Sequence, residues 1–221
     1  MNRYLETIYC IQGEDELVRP GRLAVWLNVS PPTVSDALHR LERDGWIEVA
    51  RDRSVLLTQK GSDEAAAIVR RHRLLERWMT DVLGMDWASA DAEADLLSSA
   101  VSDEVVSRID ASMNFPTTCP HGNPIPGRDP GYGTLTALAD LRRGQLAYVR
   151  RISEVAEHEA RELLTTLGDF GISEGSVVLA DRDVEETDGF TFRFGENRIS
   201  VTLLAGRQIW VEPIPEGQGR N

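Results

Sequence analysis

The chain has 221 residues, 41% of them hydrophobic and 27% charged, with a net charge of −12. That length suits two or three small domains of ordinary globular composition. No run of ~18 apolar residues and no basic–apolar leader occurs, so neither a membrane span nor secretion is expected. The two cysteines, Cys10 and Cys119, cannot build a disulfide framework and fit a reducing, cytoplasmic setting. The negative charge is unevenly spread. Residues 17–60 hold seven basic and five acidic side chains, whereas acids gather over 81–110 and 154–186. An acidic body carrying one near-neutral module is compatible with DNA binding by that module alone, with weak non-specific affinity.

In chain order, residues 3–12 read as a helix with Leu5, Ile8 and Ile11 on one face, broken at Gly13-Glu14-Asp15. A short helix follows from Pro20 to Leu27, burying Leu23, Trp26 and Leu27. Asn28-Val29-Ser30 is a turn. Ser30 is placed to cap the next helix, and Pro31 and Pro32 fall where a first turn has no use for an N–H. That helix runs to Asp44 with Val34, Ala37, Leu38 and Leu41 inward, and Gly45 stops it. Strand-like pieces at 46–50 and 54–58, joined by Arg51-Asp52-Arg53, complete a winged helix.

Helices are expected over about 61–83, 89–101 and 102–109. Their apolar faces suit either a second subunit or burial within one chain. Five of the ten prolines lie in 114–133, an ordered loop followed by a linker. Beyond it, short apolar strands at 146–149, 177–179, 190–194, 199–203 and 208–211, with one helix over 156–167, predict a small β-barrel. The expected domains are thus 1–63, winged helix; 64–133, helical; 134–213, β-barrel; and 214–221, a flexible tail.

Several of these segments together carry a family signature. They are Tyr4-Leu5-Glu6-Thr7-Ile8-Tyr9, Ser30-Pro31-Pro32-Thr33-Val34-Ser35, Leu41-Glu42-Arg43-Asp44-Gly45, Arg71-His72-Arg73-Leu74-Leu75-Glu76-Arg77 and Ser102-Asp103-Glu104-Val105. The most specific is Cys119-Pro120-His121-Gly122-Asn123-Pro124-Ile125-Pro126-Gly127. In these the chain resembles the diphtheria toxin repressor family. The resemblance implies a mainly α fold with β. Its parts are an N-terminal winged helix-turn-helix, a helical metal-binding and dimerisation domain, and a C-terminal SH3-like module. It further implies a homodimer on a double-stranded, palindromic DNA operator, with Mn²⁺ or Fe²⁺ as corepressor.

The second helix of a helix-turn-helix enters the major groove. Candidate DNA contacts are Ser30, Pro32, Thr33, Ser35 and Asp36 at its start, Arg40 along it, and Arg51 and Arg53 at the wing tip. Arg43 and Lys60 are further candidates for phosphate. Asp36 stands where the family commonly carries Gln. A carboxylate repels phosphate but accepts from the cytosine amino group, so altered sequence preference is expected.

Carried over residue by residue, the resemblance gives two metal-ligand sets. His72, Glu76, Asp91, Glu159 and Glu162 form an oxygen-rich set suited to Mn²⁺ or Fe²⁺, although Glu159 and Glu162 also read as an ordinary solvated helix face. The other set is degenerate: Glu6 is retained, Arg3 replaces a ligand, and Asp95, Ser98 and Ser99 stand where stronger donors are expected. An Arg3–Asp95 ion pair standing in for metal is one expectation, and Arg3 in solvent is the other. Cys10 reads as a donor to a rebuilt site or as a small buried group. Cys119 and His121 look like a zinc fragment, but two ligands do not make a zinc site, and the family pattern places them in a structural loop. The alternative function is a metal-independent regulator of the same fold. No phosphate loop or nucleophile elbow points to an enzyme.

Overall fold

A computed structural model describes residues 2–159, 161–181 and 189–215. The elements are α1 (Asn2–Gly13), α2 (Pro20–Leu27), α3 (Pro31–Arg43), β1 (Ile47–Val49), β2 (Val55–Leu57), α4 (Gln59–Asp81), α5 (Trp87–Leu97) and α6 (Asp103–Ser112). They continue with β3 (Thr136–Ala137), β4 (Leu146–Ile152), α7 (Glu154–Glu159), α8 (Arg161–Asp169), β5 (Val177–Ala180), β6 (Gly189–Phe194), β7 (Asn197–Thr202), α9 (Leu203–Arg207) and β8 (Ile209–Pro213). Tertiary contacts divide the chain within α4, into residues 1–72 and 73–221.

The first unit is a winged helix. Leu5, Ile8 and Ile11 of α1 are fully buried, as are Leu23 of α2 and Val34 of α3. Cys10 is buried on the same helix. Asn28, left-handed at φ 51°, ends α2 and turns the chain toward α3. Ser30 then caps α3: its Oγ accepts from the Thr33 amide and lies 2.8 Å from the Thr33 hydroxyl. Replacing Ser30 by alanine should cost about 1 kcal/mol of stability. It should also lower affinity for every DNA sequence alike, because it loosens the start of α3 and not one base contact. A thermal melt paired with a DNA titration checks both. The wing strands pair antiparallel, Ile47 opposite Leu57 and Val49 opposite Val55.

The second unit joins α5, α6 and a six-stranded antiparallel sheet in the order β3-β8-β4-β5-β6-β7. Alternate residues of the sheet face one core: Ala147, Val149, Val178, Ala180, Phe190, Phe192, Ile209 and Val211, covered by Leu163, Leu164 and Leu167 of α8. Smaller clusters unite Leu75 and Met79 of α4 with Ala90 and Ala94 of α5, and Leu74 with Val106 and Ile125. Helical segment and sheet module pack together within this second unit. Long-range polar contacts explain this: buried Arg73 donates to the Pro124 carbonyl and to the Glu154 carboxylate, and Thr118 Oγ1 donates to Glu174 at 2.8 Å. The helix expected over 156–167 is described as helical over 154–159 and 161–169, and the turn expected at Gly206 between two strands contains the short helix α9. From residue 216 the expected tail lies outside the described residues.

Candidate functional site

Two sites emerge, one in each unit. In the first, the buried positions of α3 are Val34, Ala37, Leu38 and Leu41. Its outer face therefore carries Pro32, Ser35, Asp36, His39, Arg40 and Arg43, all exposed. Arg40 donates from Nε to the Asp36 carbonyl at 3.2 Å, and Arg43 pairs with Asp44 at 2.9 Å. Lys60 donates to the Asp44 carbonyl and lies 3.6 Å from the Trp46 ring centroid, so it braces the base of the wing. At the wing tip Arg53 takes φ 67°. Asp52 Oδ1 holds that turn, accepting from the Ser54 hydroxyl at 2.7 Å and the Ser54 amide at 3.0 Å. Those bonds keep the Asp52 carboxyl below its usual range. The turn is therefore fully braced at neutral pH and loses this support only as pH falls through the lowered value. Arg51 and Arg53 project from it, exposed.

The second site is buried. Glu76 on α4, Cys119 and His121 bring one ligand atom each to within 4.8 Å of one another, all three residues being buried. Glu76 Oε1 lies 2.9 Å from His121 Nδ1, with the two side chains 1% and 0% exposed. No hydrogen bond of proper geometry satisfies that carboxylate oxygen. Bonds of about 2.0–2.3 Å to one ion allow up to about 4.6 Å between two ligand atoms, and the Glu76–His121 separation of 2.9 Å lies inside that span. The cluster thus fits a divalent transition metal, which would also discharge the cost of a buried carboxylate.

The backbone holds the loop carrying Cys119 and His121 firmly. The Cys119 amide donates to the Asn123 carbonyl, Gly122 to the Cys119 carbonyl, and Ile152 of β4 to the His121 carbonyl, at 2.9, 3.0 and 2.8 Å. The Asn123 side chain bridges Ile152 O and Arg151. Tyr132 donates to both Gly122 O and Arg150 O, and burial together with the Glu174 charge pushes its phenol far above the usual range. Trp87, opening α5, packs edge-on against His121 with ring centroids 4.8 Å apart. Arg77 donates to the Cys119 carbonyl from the same helix as Glu76.

Comparison with known proteins decides the family. Residues 1–55 match the iron dependent repressor N-terminal DNA binding domain, 58–127 its metal binding and dimerisation domain, and 136–213 the FeoA domain. The iron-dependent repressor IdeR of Mycobacterium bovis is 39% identical over 180 residues, covering 76% of this chain and 78% of that protein. The diphtheria toxin repressor of Corynebacterium diphtheriae is 36% identical over 193 residues, covering 81% and 84%. A manganese-dependent transcriptional repressor in complex with manganese superposes with a TM-score of 0.82 at 32% identity, covering 96% of this chain and 99% of that one. The chain belongs to the iron-dependent repressor family.

The protein is accordingly a metal-responsive, DNA-binding repressor with an SH3-like FeoA module, and it is not an enzyme. Of the expected ligands of this repressor, Glu76 lies with Cys119 and His121, which the sequence alone leaves as two donors without a third. The missing donor came from a distant helix. His72, in the first unit, has Nδ1 4.0 Å from Glu6 Oε1, both residues half-buried. Asp91 is half-buried on α5 and Glu162 is exposed in the first turn of α8. The Glu159 side chain lies outside the described residues. Arg3 is exposed on α1, and Asp95 on α5 is exposed as well. Ser98 spends its hydroxyl on the Asp95 carbonyl at 3.2 Å, and Ser99 is exposed. No helix among the described residues is long and apolar enough to cross a membrane.

Proposed function

We propose that Fe²⁺ or Mn²⁺ held by Glu76, Cys119 and His121 is the corepressor, and that a cytoplasmic homodimer then binds an inverted-repeat DNA operator. The buried carboxylate, thiol and imidazole converging within 4.8 Å support this reading most directly. Such a set offers oxygen, nitrogen and sulfur donors. Carboxylate suits Mn²⁺, imidazole suits Fe²⁺, and for one site the usual order of affinity places Fe²⁺ above Mn²⁺. Metal names in the relatives point the same way: iron for the IdeR proteins, manganese for the structure with bound manganese. Each ligand must be deprotonated to bind, so loading releases protons and strengthens as pH rises.

Two copies are needed because one near-neutral reading module on an acidic chain has little electrostatic grip on DNA. A two-fold dimer presents α3 twice, about one helical turn of DNA apart. The metal-independent alternative finds no support, since the relatives are named as iron- or manganese-dependent repressors. His72 with Glu6 is a candidate second metal locus, and Asp91, Glu159 and Glu162 remain candidate donors.

Selection from a randomised duplex pool tests the proposal. The full chain with Mn²⁺ should enrich an inverted repeat. With chelator, or with Cys119→Ser in Mn²⁺, enrichment should fall at least tenfold, in line with losses typical of damaged metal sites. Equal enrichment under all three conditions would overturn it.

A further inference from the structure

We propose that His39 is a specificity residue that works as a pair with Asp36, the two reading adjacent base pairs of the operator. The inference rests on the winged-helix reading of α3. Four residues of α3 point inward, namely Val34, Ala37, Leu38 and Leu41. With 3.6 residues per turn, the ridge directly opposite that stripe is Pro32, Asp36, His39 and Arg43, at i, i+4, i+7 and i+11. All four are exposed. Ser30 and Thr33 are tied to each other in the cap. Arg40 leans back onto the Asp36 carbonyl, and Arg43 is held by Asp44. Asp36 and His39, at the sixth and ninth positions of α3, are therefore the two polar side chains best placed on the crest of its outer face.

Their chemistry is complementary. The Asp36 carboxylate only accepts, and in the major groove the cytosine amino group is the donor it matches. The His39 ring donates an N–H, and guanine presents two acceptors, N7 and O6. Three residues along the helix advance about 4.5 Å, whereas one base step advances about 3.4 Å. The two side chains thus face neighbouring steps, and a cytosine beside a guanine in each half-site satisfies both. A carboxylate at this crest also makes wrong sequences costly, because a base edge offering only acceptors leaves it facing negative charge. The pair excludes as well as selects.

The test uses the Mn²⁺-loaded full chain and a randomised duplex pool, with wild type, Asp36→Gln, His39→Ala and His39→Asn run in parallel. Wild type should show cytosine and guanine at adjacent positions of each half-site. Asp36→Gln should change cytosine to adenine at its own position, since an amide matches adenine. His39→Ala should relax the neighbouring guanine by roughly tenfold and leave the other positions unchanged. His39→Asn should redirect that position to adenine. Identical sequence profiles for wild type and both His39 variants would overturn the proposal while leaving the DNA-binding reading intact. Failure of wild type to enrich any sequence would overturn the DNA-binding reading and this inference with it. These side chains are exposed, so the variants should melt as wild type does. A lowered melting temperature combined with uniformly weaker binding at every position would count against a base-reading role.

Discussion

His121→Ala should abolish metal-dependent DNA binding and, at the same time, destabilise the metal-free protein. Mutating a partner that merely orients a ligand typically costs 10–100-fold in metal affinity, and losing a direct donor from three should cost at least about as much. The second effect has a separate cause. Removing the imidazole leaves the Glu76 carboxylate, 1% exposed, without its neighbour at 2.9 Å. Leaving a buried polar group without its neighbour typically costs about 1–3 kcal/mol. The two consequences separate in the double variant Glu76→Gln with His121→Ala. Neutralising the stranded carboxylate should recover much of the lost stability and none of the metal binding. Thermal melts with and without Mn²⁺, alongside a direct Mn²⁺ titration, read both. A single variant with wild-type melting and wild-type metal affinity would remove His121 from the site.

Gly122→Ala should be the most damaging substitution of a small residue in the second unit. Gly122 sits at φ +83°, and a methyl group there would lie 1.8 Å from the Arg150 carbonyl oxygen and 2.9 Å from Arg151 Cα. Both are backbone atoms of β4, so no rotamer change relieves the clash. Left-handed strain costs about 1–3 kcal/mol and forced overpacking about as much again. A loss near 3 kcal/mol corresponds to a drop of about 6–12 °C in melting temperature for a unit of this size. Because the loop must lift from β4, His121 moves with it and metal affinity should fall too. Gly127 supplies the control. It has nearly the same φ, +84°, but open space around it, so Gly127→Ala should show the strain alone. If the two variants melted together, the close packing of the metal loop on β4 would not be a constraint.

The winged helix was legible in the sequence because its signals are local. A capping serine, two prolines in a first turn, a 3–4 apolar spacing and a glycine stop all act within a few residues. The strands of the SH3-like module were legible from alternation, whereas their order was not, since β8 pairing between β3 and β4 is a long-range choice. The proposed metal site was half legible. Glu76 stood out on α4 through the family resemblance. Cys119 and His121 read as a structural loop in sequence, because nothing local says which helix faces that loop. Arg73 and Arg77, bonded from α4 to the Pro124 and Cys119 carbonyls, are the side chains that make the connection. His39 carries no local signal of its own, whereas its place opposite the core follows from the buried stripe of α3.

Anomalous scattering at the manganese edge, from crystals of the full chain grown with Mn²⁺, is the most direct measurement of the central claim. The account predicts a peak within bonding distance of a Glu76 carboxylate oxygen, Cys119 Sγ and a His121 ring nitrogen. Manganese bound elsewhere in the chain, with no peak between those three side chains, would contradict it.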